Sequence, residues 1–549
     1  MTRRRGWLAL ACLCLAITSC ADAPVGSGDA RPRVRTAGGV VEGVMAAGAP
    51  GTAVAAYKGI PYAEPPTGDR RWRPPVPAHG WTGVRDARDF GHACLQPPPA
   101  LGSVYYGGMA SMSEDCLTLN VWAPADARHA PVMVWIHGGA LVGGGSSEPL
   151  YDGANLARQG IVVVSINYRL GLLGYLAHPA LGAESPQHLS GNYGLLDQIE
   201  ALRWVRANIA AFGGDPGKVT IAGESAGGLS VLGLMASPAA HGLFRGAITQ
   251  SGYMPAYRAL HEDTLGLTSA EAAGAALGKL AGATDAAALR AADLVALFKA
   301  GLATGWQPEP VIDGVTLPRQ LAETFARGEQ ARVPVLAGFN EGEIRSLPFL
   351  MPKAPDTPAA YQADVRRRFG AEAATYLAVY PGADPRADVM ASIRDGLYGW
   401  AAQYVARQQA AVGQPAFLYY FRHATPAEKA RDLAAFHASE LPYVFGQVGP
   451  DAALGPNWPR PPLTDAEARL SRAMMGYWVS FVRDGVPAAP GEVAWPRYDV
   501  GQGGYLDIDD QPTAQRALQP AAFTLADTLV AKRRQQGRAW RLDIGFSAF

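Results

Sequence analysis

Ser225 stands between two glycines in the stretch Gly223-Glu224-Ser225-Ala226-Gly227 and is the residue of this chain best placed to serve as a nucleophile. The Gly-x-Ser-x-Gly spacing suits a turn so tight that only small side chains fit beside the serine, whose hydroxyl then projects from strained backbone. In a chain holding 64 glycines the match alone is weak, because short motifs recur by chance. Its surroundings decide. A β-branched run, residues 218–222, precedes the serine, and an apolar helical stretch begins at Ala226. That is the strand–turn–helix setting such a nucleophile needs.

A serine attacking a carbonyl also needs a base, and the carbonyl oxygen needs donors as it becomes an oxyanion. In VWIHGGALVGGG a strand ends at Ile136, and Gly138, Gly139 and Ala140 follow His137 with no bulky side chain to shield their N–H groups. Ala226 offers a further N–H from the turn itself. Where the chain order is nucleophile, acid, histidine, the base follows Ser225, which leaves His241, His261, His423 and His437. The first two precede any acid-bearing loop. His437, in FHASELPYVFG, is taken as the base, and His423, at the end of the apolar run FLYYFRH, is the competing position. The acid comes from GFNEGE, after the apolar run 333–337, which offers Glu341 and Glu343.

Several elements must position these groups. Residues 132–136, 161–166, 219–222, 246–250 and 333–337 are short apolar runs bounded by Gly, Asp, Asn or Pro. Between them lie helical stretches such as residues 195–211, where Leu195, Ile199, Leu202, Val205 and Ile209 form one apolar stripe. Fully apolar strands alternating with helices imply an α/β fold with a mostly parallel sheet covered on both faces. Residues 269–300 read as an alanine-rich helical insertion. Thr464-Asp-Ala-Glu467 reads as a capping box opening a helix through Leu470, Met474, Trp478 and Phe481. These two regions are candidates for walls of a substrate cleft and equally for plain packing.

Composition narrows the partners. Formal net charge is zero and hydrophobic residues make up 48% of 549 residues, which suits a large core and no nucleic-acid partner. The first 19 residues, with Arg3, Arg4 and Arg5 before an apolar core ending near Ile17, read as an export signal too short to span a bilayer. Ile17-Thr18-Ser19-Cys20 resembles a bacterial lipobox, so Cys20 is expected to carry the lipid and to begin the mature chain. By the same resemblance Ala21 favours passage to the outer membrane, and the arginines also faintly resemble a twin-arginine signal. Residues 20–33 read as a tether, and residues 34–549 as a single domain. Cys94 and Cys116 are the only cysteines after Cys20. In an exported chain such a pair reads as one disulfide.

The stretches YKGIPYAEPPTGDRRWRPP, SEDCLTLNVW, WIHGGA, GNYGLLDQ, FGGDP, GESAGG, HASELPYVFG and WPRYD, in this order, resemble those of type-B carboxylesterases of the carboxylesterase/cholinesterase family. The likeness covers about residues 34–500. It implies the α/β-hydrolase fold, with helical insertions around the active-site cleft, and a serine carboxylic-ester hydrolase acting on a small or medium ester without metal or organic cofactor. It implies a Cys94–Cys116 disulfide, ion pairs Arg71–Glu114 and Arg169–Asp197, and oxyanion donors from Gly139, Ala140 and Ala226, with Gly138 in the same loop. In the family pattern the strand-closing glycine is followed by Asn two residues on and by the catalytic Glu five residues on. Counted from Gly338, that gives Asn340 and Glu343 rather than Glu341. A catalytically silent binding relative, an amidase and a long-chain lipase are the competing functions. The chain departs from the family at Leu141, where a large aromatic is usual and a wider acyl pocket would follow, at Lys279 in place of a disulfide cysteine, and at Ile344 in place of glycine.

Overall fold

The computed structural model describes residues 31–47, 52–98, 100–107 and 111–540. The export signal, Cys20 and most of the tether lie outside them. Arg33–Thr36 and Gly39–Glu42 form a hairpin, so strand structure starts at the last tether residue, one residue before the expected domain start.

Eleven strands make one sheet: β1 (Val44–Met45), β2 (Val54–Pro61), β3 (Thr118–Pro124), β4 (Ala130–Ile136), β5 (Val162–Ile166), β6 (Gly214–Glu224), β7 (Gly246–Gln250), β8 (Val335–Asn340), β9 (Ala416–Phe421), β10 (Gly504–Ile508) and β11 (Pro512–Arg516). Across the sheet their order is β11-β10-β9-β8-β7-β6-β4-β5-β3-β2-β1. Every pairing from β5 through β4 and β6 to β10 is parallel, and antiparallel strands close both ends. This is the mostly parallel α/β sheet expected.

Strand β4 shows why its sequence must be apolar throughout. Val132, Val134 and Ile136 pack into one core and Met133 and Trp135 into another. Alternate side chains point to opposite faces, and helices cover both. On the first face lie α1 (Tyr193–Asn208) and α2 (Ala226–Ala236). The four stripe residues within α1 and the fifth, Ile209 just beyond it, are all buried there. On the second lies α7 (Asp465–Asp484), through Leu470, Met474, Trp478 and Phe481.

The insertion forms α3 (Ala270–Leu280), α4 (Ala286–Ala291) and α5 (Leu294–Thr304), a side cluster with Trp72 and Leu172. A further helix, α6 (Trp400–Ala411), is preceded by a turn of π-helix over Asp395–Gly399. Thr464 caps α7 by accepting from the Glu467 N–H. The reciprocal half of the expected box is missing, because Glu467 turns its carboxylate to His423 and Tyr443 instead.

Both expected ion pairs are present. Arg169 binds Asp197 through two side-chain bonds of 2.6 and 2.7 Å, almost wholly buried, and Arg71 binds Glu114. Cys94 and Cys116 form a disulfide. Among the described residues no helix is long and apolar enough to cross a membrane.

Candidate active site

Central strand β6 ends at Glu224, and the next residue, Ser225, adopts φ 58° and ψ −120° before α2 begins. A non-glycine residue held there is strained, and such strain clusters at functional sites. The flanking glycines explain how the turn exists. A Cβ on Gly227 would lie 2.0 Å from the Ile136 carbonyl oxygen, and one on Gly223 would lie 2.5 Å from the Gly227 backbone. No side chain fits at either.

The loop after β4 crosses directly over this turn. A Cβ on Gly138 would meet the Glu224 carbonyl oxygen at 2.9 Å and the Ser225 Cβ at 3.1 Å. Gly139 and Ala140 take positive φ, 104° and 56°. Their N–H groups and that of Ala226, in the first turn of α2, have no protein acceptor among the described residues. The loop is held from behind by Tyr168, whose hydroxyl donates to the His137 carbonyl at 2.9 Å while its ring stacks on His137. Burial keeps that imidazole neutral, with its pKa near 4.

His437 Nδ1–H donates to Glu343 Oε2. Glu343 Oε1 accepts from the Ser251 hydroxyl at 2.6 Å and from the Asn340 N–H at 2.8 Å. Among the described residues Glu341, two residues earlier, hydrogen-bonds through its backbone alone, its N–H donating to the Phe421 carbonyl and its carbonyl accepting from Arg394. The Tyr105 hydroxyl donates to the His437 carbonyl at 2.9 Å, and the Tyr398 ring, from the π-helical turn, lies 5.1 Å from the imidazole.

The opposite nitrogen, Nε2, is 3.1 Å from Glu224 Oε1. The Ser225 hydroxyl makes no hydrogen bond to it among the described residues; such bonds are commonly loose before substrate binds. Burial opposes a charge on the imidazole, but Glu224 and Glu343 outweigh it and lift His437 to about 9. Burial likewise lifts Glu224 to about 8, with His437 acting against it.

Ser225, His437, Gly138, Gly139, Ala140 and Glu224 line one cavity of about 400 Å³, within the range of small-molecule sites. Ala226 is fully buried beside it. Phe349, Leu350, Leu397 and Tyr398 form part of the wall, so inserted helical segments between β8 and β9 do border it. The two regions proposed from the sequence as walls, 269–300 and the helix after Thr464, contribute no lining residue and are packing. Leu141 is buried in the core and does not line the cavity, whereas Val142, Gly143 and Gly144 do. His423 is elsewhere, bonded to Asp510 at 2.9 Å and Glu467 at 3.1 Å.

Residues 30–525 match the model of the carboxylesterase family. The chain belongs to that family. This carboxylesterase is 37% identical over 479 residues to the fumonisin B1 esterase of Sphingopyxis macrogoltabida, with 84% of each chain covered. It is 36% identical to the para-nitrobenzyl esterase of Bacillus subtilis, over 84% of this chain and 92% of that one. A solved PNB esterase structure superposes with a TM-score of 0.76 at 33% identity, covering 92% of this chain and 99% of the other. A Geobacillus stearothermophilus carboxylesterase gives 0.75 at 33%, covering 90% and 100%. The carboxylesterase is thus an ester hydrolase.

Sequence reasoning missed part of the site. Asn340 Nδ2 donates to Glu440 Oε2 at 2.6 Å and to the Phe436 carbonyl at 2.8 Å, while Gln250 Nε2 donates to Glu440 Oε1 at 2.8 Å. Glu440 thereby ties the β7 and β8 ends to the loop of His437. The one signal available was that Glu440 stands three residues after His437, inside a segment otherwise apolar.

Proposed function

We propose that the chain cleaves a small or medium carboxylic ester by two-step acyl transfer, with Ser225 as nucleophile, His437 as base and Glu343 as its orienting acid. His437 Nε2 takes the Ser225 proton as Oγ attacks the carbonyl. The N–H groups of Gly139, Ala140 and Ala226, with Gly138 in the same loop, receive the oxyanion. The protonated His437 then gives its proton to the departing alcohol, and water repeats the cycle on the acyl-enzyme. The observation that carries this reading is the Nδ1–H bond from His437 to Glu343, with the other edge of the ring facing the cavity that Ser225 and the glycine loop line. That bond fixes the tautomer, leaving Nε2 free to accept a proton.

The test is a panel of chromogenic esters of graded acyl length plus one anilide, run with wild type and Ser225→Ala. Fast cleavage of short and medium esters, slow cleavage of the anilide and loss of both in the variant are expected. A variant retaining a tenth of the activity refutes the assignment.

We also propose that residues 34–549 form one domain that is exported and tethered to a membrane through lipid on Cys20. The support is the leader sequence and its lipobox-like end. Fatty-acid labelling lost in Cys20→Ala is expected; unlabelled mature wild type would exclude the anchor.

A further inference from the structure

The substrate cavity is electrically one-sided. Among the described residues no lysine or arginine lines it, whereas two carboxyl groups do, Glu224 and Glu148. Glu224 is engaged with His437. Glu148 has no such partner. It sits in the turn that continues the oxyanion loop, and among the described residues the only hydrogen bond to its carboxyl group is a long one, from the Gly145 N–H to Oε1 at 3.2 Å. The residue is partly exposed and borders the cavity between that loop and Leu150. Its Cγ lies 3.8 Å from where a Cβ on Gly107 would stand.

Although the residue is partly exposed, its carboxyl group borders a mostly apolar cavity and has one long donor, which leaves it poorly solvated. Burial accordingly lifts its pKa to about 7. Its charge also reaches Glu224 and Tyr151, so it lies within the field of the reacting centre. The cavity that it borders is rich in aromatic rings: Tyr106, Tyr151, Tyr253, Phe349, Tyr398 and Trp458. Ring faces attract cations, and a protonated amine would supply the donors Glu148 lacks. The one cation at the wall, the His437 imidazolium, is already held between Glu224 and Glu343, so among the described residues a substrate carboxylate would find no unpaired cation to meet it.

We infer that Glu148 is a specificity residue that selects esters carrying a protonated amine and disfavours those carrying a carboxylate. The inference rests on the acyl-transfer reading of this cavity.

The experiment compares two isosteric pairs at neutral pH: butyl 6-aminohexanoate with butyl heptanoate, and 5-aminopentyl acetate with hexyl acetate. Turnover of the uncharged esters, and its loss in Ser225→Ala, tests the acyl-transfer reading separately. For specificity the readout is the ratio of kcat/KM for charged over uncharged ester, which cancels any general loss of enzyme. Glu148→Gln keeps the size and the acceptor for Gly145. In at least one pair the ratio should fall about tenfold or more, as expected for losing a charge-assisted hydrogen bond. Unchanged ratios in both pairs overturn the inference. A second measurement needs only wild type: hexylammonium should inhibit at lower concentration than hexanesulfonate, and the reverse order overturns it equally.

Discussion

Nε2 of His437 lies 3.1 Å from Oε1 of Glu224, the residue that immediately precedes Ser225 in the chain. The Ser225 turn thus brings to the imidazole a carboxyl that biases its protonation, next to the hydroxyl proposed to attack. Each group's affinity for a proton is raised, and since they interact, the values belong to the pair.

This relationship predicts the pH profile. His437 works as a base only when neutral, so kcat/KM for an uncharged ester falls as pH drops through its folded pKa. The limb should lie well above the ordinary histidine value of about 6.5, toward the value near 9 that the surroundings impose. Glu224→Gln removes the strongest influence holding the proton on, so the limb should move to lower pH by about one unit or more. A pH–rate series on both enzymes checks this, and an unmoved limb refutes the coupling.

The two late histidines should separate cleanly. His437→Ala is expected to lower kcat by about 10⁴–10⁶-fold, comparable with Ser225→Ala. His423→Ala should stay within about tenfold in kcat, since its ring is outside the cavity, and should instead lower Tm. It would leave Glu467, shared with Tyr443, short of a partner. Steady-state kinetics and thermal melting on the two variants decide.

How far the sequence led follows from this contrast. The central strands, the α1 stripe and the Ser225 turn are local: periodicity and steric need are written within a dozen residues. Glu440 and the Gln250–Asn340 network are not, since partners up to 190 positions apart meet only when β7, β8 and the His437 loop are assembled. The cleft walls misled for a related reason. An amphipathic helix announces that it buries a face, not which face of the molecule it covers. Leu141 shows the same limit, because at a positive-φ position the direction of a side chain depends on backbone no pattern reveals.

Glu343 and Glu341 offer a test at single-residue resolution. Glu343→Gln keeps shape and removes the charge that stabilises an imidazolium, so kcat should fall about 10²–10⁴-fold. Glu341→Gln should cost less than about tenfold, because among the described residues its side chain makes no hydrogen bond to the bonded pair. A crippled Glu341→Gln enzyme would reverse the assignment.

The last prediction concerns a residue that touches no reacting atom. Gln96 stands two positions after Cys94 and clamps Gly144 from both sides, its Oε1 accepting from the Gly144 N–H and its Nε2 donating to the Gly144 carbonyl, each at 2.8 Å. The same Nε2 donates to the Cys94 carbonyl at 2.9 Å. The oxyanion loop is therefore moored to the disulfide loop. Gln96→Leu leaves both Gly144 groups without their partner, and a loop carrying Gly139 and Ala140 would drift. Because misplacement by about 1 Å costs up to about 10²-fold, kcat should fall about 10- to 100-fold with KM changed less. Replacing Cys94 and Cys116 by serine removes the mooring from the other end. It should cost about 3 kcal/mol of stability, read from denaturant unfolding, together with part of the same kcat loss. Since both changes act through one contact, the triple variant should lose less kcat than the product of the two effects. Full kcat in Gln96→Leu would mean that the loop holds its shape without Gln96.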